Sequence, residues 1–322
     1  MSLLSVRDLR TYFRTSTGIL RAVDGVSFDI RENEVLSLVG ETGCGKTMTA
    51  LSIVNLVPYP GWIAGGSVVF RGRDLLRMGE AEIRKIRGKE IAMIFQNPST
   101  SLNPVYTVGY QIAELPIYHL NLTLKKALDM AVDLIRSVRI PNAEIRARSH
   151  PHVLSGGMKQ RSMIAMMIAL SPSLLIADEP TTMLDVTIQT QITELLKSIQ
   201  GERKMSILLI SHNIGLVAEM SDRMAVMYCG RIVEIGHTAD ILKEPLHPYT
   251  KGLLHSMPIG VERRHALPSI PGMLPDPINV PAGCRFSARC PYRMDICEAR
   301  EPNLIDLGNE HHTACFLHNG LS

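Results

Sequence analysis

What the chain lacks narrows its class before any motif is read. In 322 residues no window approaches 18 uninterrupted apolar positions, so no membrane-spanning helix is expected. The first ten residues carry Arg7 and Asp8 where a secretory leader would place a charged stretch and then an apolar one, and export is not expected either. Neither sign of charge dominates: 34 basic residues face 31 acidic ones, the formal net charge is +3, and there is no basic block. That balance recommends no nucleic-acid partner. Cysteines number six, and two of them, Cys44 and Cys229, stand in a glycine-rich loop and beside an expected strand. Such placement suits a reducing, cytoplasmic compartment better than a disulfide framework. Aromatic residues are scarce at 5%, yet hydrophobic residues reach 45%, enough at this length to bury a large core divided into two or three units.

What is present is organised around Gly40-Glu41-Thr42-Gly43-Cys44-Gly45-Lys46-Thr47. The segment fits the phosphate-loop pattern and follows the apolar run Val35-Leu36-Ser37-Leu38-Val39, as a strand-to-loop transition requires. From Lys46 through Met48 to Leu56 no Gly or Pro interrupts, so a helix can begin there and aim its N-terminal amides at an anion. Glycines let backbone N–H groups approach phosphates, Lys46 reaches the terminal phosphates, and the Thr47 hydroxyl ligates magnesium. A nucleoside triphosphate is the expected ligand.

Short alternating strands at Leu4-Ser5-Val6 and Val26-Ser27-Phe28-Asp29-Ile30, continued by Gly65 to Gly72, read as an antiparallel apron. An aromatic there, Phe13 or its neighbour Tyr12, can stack an adenine ring or simply pack. Ile91 to Phe95 reads as a strand ending at Gln96, followed by Asn97 to Pro104, a stretch expected to be a non-helical loop. Gln96 can reach magnesium or the attacking water if that loop swings in; otherwise it caps. From Val108 to Arg148 the period turns helical, with Leu128, Ala131, Val132, Ile135 and Val138 on one stripe.

Leu154-Ser155-Gly156-Gly157-Met158-Lys159-Gln160 then offers a second anion-receiving helix start, before a Met-rich helix read as core. One chain cannot wrap both of its phosphate loops around the same triphosphate, so a dimer with shared sites is expected. Leu174 to Ala177 reads as a buried parallel strand ending in Asp178-Glu179. Asp178 can hold the magnesium shell, and Glu179 can orient and deprotonate water. Asp185 lies in the turn before the next helix and either caps it or touches the dimer partner. Ile207 to Ile210 leads to Ser211-His212, where His212 can bond a γ-phosphate. A hairpin around Cys229-Gly230 closes the core near Gly236. Beyond His237, prolines break the tail into extended pieces that lack a core of their own, and Cys284, Cys290, Cys297 and Cys315 gather there.

Read together, the signature Leu154 to Gln160, Gly40 to Thr47, Gln96, Asp178-Glu179, Asp185 and His212 resemble the ATP-binding-cassette ATPases over residues 4 to 236. More narrowly, Phe95-Gln96-Asn97-Pro98, Ser101-Leu102-Asn103-Pro104, His247-Pro248-Tyr249-Thr250 and the Cys284-Arg285-Phe286 and Arg289-Cys290-Pro291 tail are similar to the ATPase subunits of dipeptide, oligopeptide and nickel importers. The resemblance implies an α/β fold: a RecA-like P-loop NTPase core with an antiparallel β apron, a helical insertion and a small metal-bound C-terminal tail. Its segments would be 1–96 and 161–236 for the nucleotide core, 97–160 for the helical subdomain and 237–322 for the tail. It implies ATP and Mg2+, adenine stacking on Phe13, and nucleotide contacts from Gly40 through Thr47, Met48, Asp178, Ser155, Gly156, Gly157 and Asp185. Glu179, His212 and Gln96 would be catalytic, with Thr47 and Gln96 on magnesium.

It implies as partners a sibling ATPase, two membrane permeases and an extracytoplasmic solute-binding protein, at the cytoplasmic face of the cell membrane. Peptides are the implied cargo. Nickel or another small solute, a soluble non-transport ATPase, and an iron-sulfur redox protein are the alternatives. The spacing of Cys284, Cys290, Cys297 and Cys315 is too open for paired zinc knuckles and fits the 4Fe-4S tail of these importers, though zinc, a disulfide pair or four idle thiols stay open. Two departures stand out: His150-Pro151-His152-Val153 where relatives carry Tyr-Pro-His-Glu, and Met183 where Ala is usual.

Overall fold

The computed structural model describes residues 2–182, 184–256 and 270–318; Met183 and the tail prolines Pro258 and Pro268 lie outside them. In chain order the strands are β1 (Ser2–Arg14), β2 (Ile19–Arg31), β3 (Val35–Val39), β4 (Gly61–Phe70), β5 (Arg73–Asp74), β6 (Ile91–Ile94), β7 (Leu174–Asp178), β8 (Ser206–Ile210), β9 (Arg223–Tyr228), β10 (Arg231–His237), β11 (Ile305–Asp306) and β12 (His312–Thr313). They fall into two compact units, each discontinuous in sequence: residues 31–34 with 77–210, and residues 2–30 with 35–76 and the chain from 211 onward.

The unit that holds the apron follows the period-2 pattern. Leu4 and Val6 of β1, and Val26, Phe28 and Ile30 of β2, are buried while Ser5, Ser27 and Asp29 between them are only half-buried, the alternation of a half-buried antiparallel sheet; Leu3, at the start of β1, is buried as well. The order is β2-β1-β4-β5, with Leu4 opposite Phe70. Its other sheet runs β11-β12-β10-β9-β3 and is mixed. There β3 lies parallel to β9, and β9 and β10 form the antiparallel hairpin around Cys229-Gly230. Every residue of β3 is buried, as a strand covered on both faces must be.

In the other unit β6, β7 and β8 pair in parallel, Ile91 opposite Leu174 and Leu174 opposite Ser206. The insertion is helical, over Val108–Leu120, Leu124–Ser137 and Ala143–Ala147. Its apolar stripe is set by Ala127, Ala131, Leu134 and Ile135, with Val138 just past the helix, so the buried face is turned slightly from the one the sequence suggested. Leu128 and Val132 are only half-buried. The Met-rich helix, Gly156–Met167, buries Met163, Ile164 and Ala165 in the core, as read.

Two expectations need correction. Asn97 to Pro104 is not wholly non-helical: Pro98–Ser101 forms one turn, because Pro98 occupies the first helical position, where its missing N–H costs nothing, and the Asn97 side chain accepts from Ser99 N–H at 2.9 Å. The tail, in turn, does not lack a core. Helices Thr238–Lys243 and Pro248–His255 fold in it, and β12 adds to the edge of β10, with Glu234 opposite Thr313. Tyr249 and Phe286 join Val226 and Tyr228 in one buried cluster. The fully buried Glu234 carboxylate accepts from the Leu246 and His247 amides at 2.8 and 2.9 Å and meets the His311 ring at 2.7 Å. Burial alone would raise its pKa, yet those hydrogen bonds, His311 foremost, hold it below the usual carboxylate range.

Candidate nucleotide site

The loop that carries the phosphate pattern is built so that only glycine fits it. Gly40 and Gly45 have φ of 151° and 108°, and a Cβ at either would lie 2.2 Å from a backbone oxygen, that of Met227 or of Ala22. The backbone therefore runs tight against β9 and β2. The helix Lys46–Ile53 starts directly from Gly45 with no side-chain cap. Lys46, 5% exposed, donates to the carbonyls of Gly40 and Glu41 at 2.8 and 3.0 Å, so its ammonium is held against the loop. Thr47 and Met48 open the helix and are half-buried. Cys44 is buried beside Lys46, and burial pushes its thiol up.

In the same unit Ser211 N–H donates to Leu38 O at 3.3 Å, which sets the Ser211-His212 segment beside the end of β3; His212 is exposed. Phe13 stays at the apron edge, half-buried, its ring 2.5 Å from where a Gly61 Cβ would stand. Its neighbour Tyr12 is committed elsewhere: its hydroxyl donates to Asp24 at 2.6 Å and its ring meets Trp62 edge-on.

In the other unit Asp178 closes β7, 2% exposed, and Glu179 follows in the left-handed region at φ 46°. A β strand that ends this abruptly turns the next side chain out of the sheet, and strain of this kind in a non-glycine residue collects at functional sites. The Glu179 amide is anchored to Ile210 O at 2.9 Å. Its carboxylate accepts from Gln96 Nε2 at 2.8 Å and from the Thr182 hydroxyl at 2.9 Å through one oxygen, Oε2. The sequence had named Gln96 and Glu179 separately. The structure brings them into contact, and adds Thr182, whose place three residues after the acid was the signal available.

Ser155 caps the helix it precedes, accepting from Met158 N–H at 3.3 Å, and both Ser155 and Gly156 are exposed. A Cβ at Gly157 would stand 2.9 Å from Ile188, so glycine there allows the signature helix to approach the helix Val186–Arg203. Asp185 caps that second helix, accepting from Ile188 N–H at 2.9 Å. Of its two expected uses, local capping is the one seen. His150 and His152 stack at 5.7 Å, and Val153 is 55% exposed.

In the tail, Cys284, Cys290, Cys297 and Cys315 all line one small enclosed pocket. Burial pushes the Cys284 thiol up to about 11, and the thiols of Cys290 and Cys315 are raised by burial too. The expected metal-bound tail nevertheless finds no support as a metal centre: among the described residues no three His, Cys, Asp or Glu side chains form a group that could hold a metal ion. The tail is fastened instead by side chains that sequence reading gave no role. Arg289 pairs with Glu41 of the phosphate loop through two bonds, at 2.8 and 3.0 Å, and Tyr249 accepts the Glu41 N–H at 2.8 Å. Arg285 reaches Asp24, Glu301 and the Cys229 carbonyl. Both arginines sit beside cysteines in motifs noted only as family markers.

A glycine-bound loop opening a helix after a buried strand, in a mixed α/β architecture with an antiparallel apron, defines a P-loop nucleotide-binding cassette. Comparison with known proteins agrees. The sequence pattern of the family described as "ABC transporter" matches residues 23–182, and that of "Oligopeptide/dipeptide transporter, C-terminal region" matches residues 233–297. The oligopeptide transport ATP-binding protein AppD of Bacillus subtilis is 48% identical over 98% of this chain and 97% of its own. The dipeptide transport ATP-binding protein DppD of Haemophilus influenzae is 46% identical over 96% and 94%. Among solved structures, the bacterial ABC transporter cassette MJ0796 superposes with a TM-score of 0.66 at 23% identity, over 73% of this chain and 98% of that one, which establishes the fold. The chain belongs to the ABC transporter ATP-binding proteins, in the group that carries the oligopeptide/dipeptide C-terminal region.

Proposed function

We propose that this chain is the ATP-hydrolysing subunit of a peptide importer. The observation that carries the catalytic part is the Gln96–Glu179–Thr182 contact at the end of a buried parallel strand. The Gln96 and Thr182 donors fix the carboxylate at the end of that strand, and Glu179 is the general base that takes the proton from water. Lys46 and amides of the Gly40–Thr47 loop, that of Glu41 being given to Tyr249, bind the phosphates, Met48 continues that helix start, and His212 contacts the γ-phosphate. Thr47, Gln96 and Asp178 would hold a magnesium ion, which would supply charge neutralisation to the phosphates. Phe13 stacks the adenine, since Tyr12 is engaged by Asp24.

Ser155, Gly156, Gly157 and the Asp185 turn complete the site of a partner ATPase, which is why Ser155 and Gly156 stand exposed. That partner is a sibling rather than an identical copy. Two permeases receive the loop after Gln96 and the helical subdomain at the cytoplasmic face of the membrane; Val105, 74% exposed, and Tyr106, Tyr118 and Leu120 supply apolar surface for them. No helix among the described residues is long and apolar enough to cross a membrane. The cargo is peptide, a reading supported by the names of AppD and DppD, and an extracytoplasmic binding protein delivers it. Functionally the chain divides into core segments 1–96 and 161–236, a helical subdomain 97–160 and a tail 237–322.

The test is uptake by the assembled transporter in vesicles: ATP-dependent accumulation of a labelled peptide supports the reading. Accumulation of nickel in place of peptide, or no association with permeases after gentle lysis, overturns it. The 4Fe-4S reading of Cys284, Cys290, Cys297 and Cys315 belongs here too, supported by their shared pocket. In such a cluster each thiolate binds a different iron, so the sulfurs need not converge on one ion. Anaerobically purified protein with about four irons per chain and broad absorption near 400 nm supports it; one zinc, or no metal, removes it.

A further inference from the structure

The phosphate loop is not held by its own cassette alone. Glu41, its second residue, is gripped at both ends by the tail: its carboxylate by Arg289 and its amide by the Tyr249 hydroxyl. Its carbonyl in turn accepts from Lys46 Nζ. A line of direct contacts therefore runs from the tail through Glu41 to the lysine of the loop. Arg289 is itself fixed. Its side chain is 5% exposed, it donates to the carbonyls of Pro271 and Ile270 at 3.0 and 3.2 Å, and it lies over the Tyr228 ring at 5.9 Å. A second strap lies alongside: Arg285 holds the Cys229 carbonyl, and the next residue, Gly230, donates its N–H to Cys44 O at 2.8 Å. Two arginines four residues apart thus brace one loop from opposite parts of its length. A bidentate, largely buried arginine–carboxylate pair is among the more directional contacts available, and attaching a tail to a surface does not require that it end on a nucleotide loop.

We propose that Arg289 and Tyr249 are positioning residues that lock Glu41 and hold the Gly40–Thr47 loop in its phosphate-accepting shape, so that ATP affinity depends on a docked tail. This rests on the reading of that loop as the ATP site. Without the lock, the loop orders itself when nucleotide binds, and affinity falls by the cost of ordering about one residue. Binding and docking are then reciprocal: ATP protects the tail as the tail supports ATP.

The experiment uses the full chain and measures ATP affinity by equilibrium titration, steady-state KM and kcat, and hydrogen exchange of the tail amides with and without ATP. Arg289→Gln, Glu41→Gln and Tyr249→Phe are compared with Lys46→Ala. The account expects Arg289→Gln and Glu41→Gln each to weaken ATP binding about tenfold, which is about 1.4 kcal/mol. The double variant is no weaker than the poorer single, because both break one contact. The loss falls on KM more than on kcat, Tyr249→Phe gives a smaller loss of the same kind, and ATP slows exchange of the Arg289 segment in the wild type only. Unchanged affinity in all three while Lys46→Ala abolishes binding overturns the lock and leaves the ATP site standing. Normal binding by Lys46→Ala removes the ATP site itself. Additive losses in the double variant, or melting of the tail in Arg289→Gln with Glu41→Gln and Tyr249→Phe silent, reduce Arg289 to a structural attachment and also overturn the lock.

Discussion

Replacing Arg285 by Met tests how the tail is held. Its side chain is 5% exposed, and that of its partner Asp24 is 8% exposed. Arg285 spreads its donors over Asp24, Glu301 and the Cys229 carbonyl. Methionine keeps most of the stem's packing but takes the guanidinium from the Asp24 carboxylate, which keeps the Tyr12 hydroxyl as donor and the more distant charge of Arg231. Removing one member of a buried pair costs about 3–5 kcal/mol, because the remaining charge stays buried without compensation. In a unit of this size each kcal/mol moves the melting temperature by about 2–4 °C, so a fall of about 10 °C is expected. The sign of the pH dependence is fixed as well. Burial would raise the Asp24 pKa, but the hydrogen bonds from Tyr12 and Arg285 outweigh it and leave it lowered. The contribution is therefore complete above the unfolded carboxylate range and disappears as the pH falls through the lowered folded value. Thermal unfolding followed by circular dichroism at pH 7 and at about pH 3 reads both effects, and Asp24→Asn combined with Arg285→Met should recover part of the loss. A melting temperature within about 3 °C of the wild type, or strict additivity in the double variant, would refute the pair as a fastening.

His247 is fully buried and its pKa is pushed down from 6.5 to about 4, chiefly by burial, so the unfolded chain takes up a proton that the native one refuses. Stability should fall by about 3 kcal/mol as the pH drops from 6.5 towards 4, and His247→Asn, which keeps an acceptor for the Tyr249 amide, should flatten that part of a urea-denaturation pH profile. Gly40→Ala forces a Cβ onto the Met227 carbonyl and should abolish ATP binding in a titration while the circular dichroism spectrum stays near native. On the proposed reading that the loop serves the partner's site, Ser155→Arg should leave nucleotide binding to the isolated chain intact and lower the ATPase rate of the assembled transporter at least tenfold, measured as phosphate release.

Much of the cassette was legible because its determinants are local. Strand β3, the phosphate loop and the helix from Lys46 are set by an unbroken apolar run, by glycines that must accept φ values other residues avoid, and by the absence of a breaker. Glu179 could be singled out because two acids at the end of a buried strand have few other uses. What escaped depended on partners distant in sequence. Nothing near Arg289 announces Glu41, 248 residues earlier, and nothing near Glu234 announces the amides and imidazole it satisfies from the tail. Counting prolines suggested a tail without a core. Proline instead tolerates helix starts, as at Pro98 and Pro248, and the tail's few large apolar residues reach a core that the hairpin already supplies.

The central claim is that Glu179, oriented by Gln96 and Thr182, removes the proton from the attacking water. Single-turnover phosphate release by Glu179→Gln, in the assembled transporter at saturating ATP, tests it most directly. The account predicts intact ATP binding, a rate lowered by roughly two to four orders of magnitude, and a dimer trapped closed around unhydrolysed ATP. Release at a rate close to wild type would contradict it.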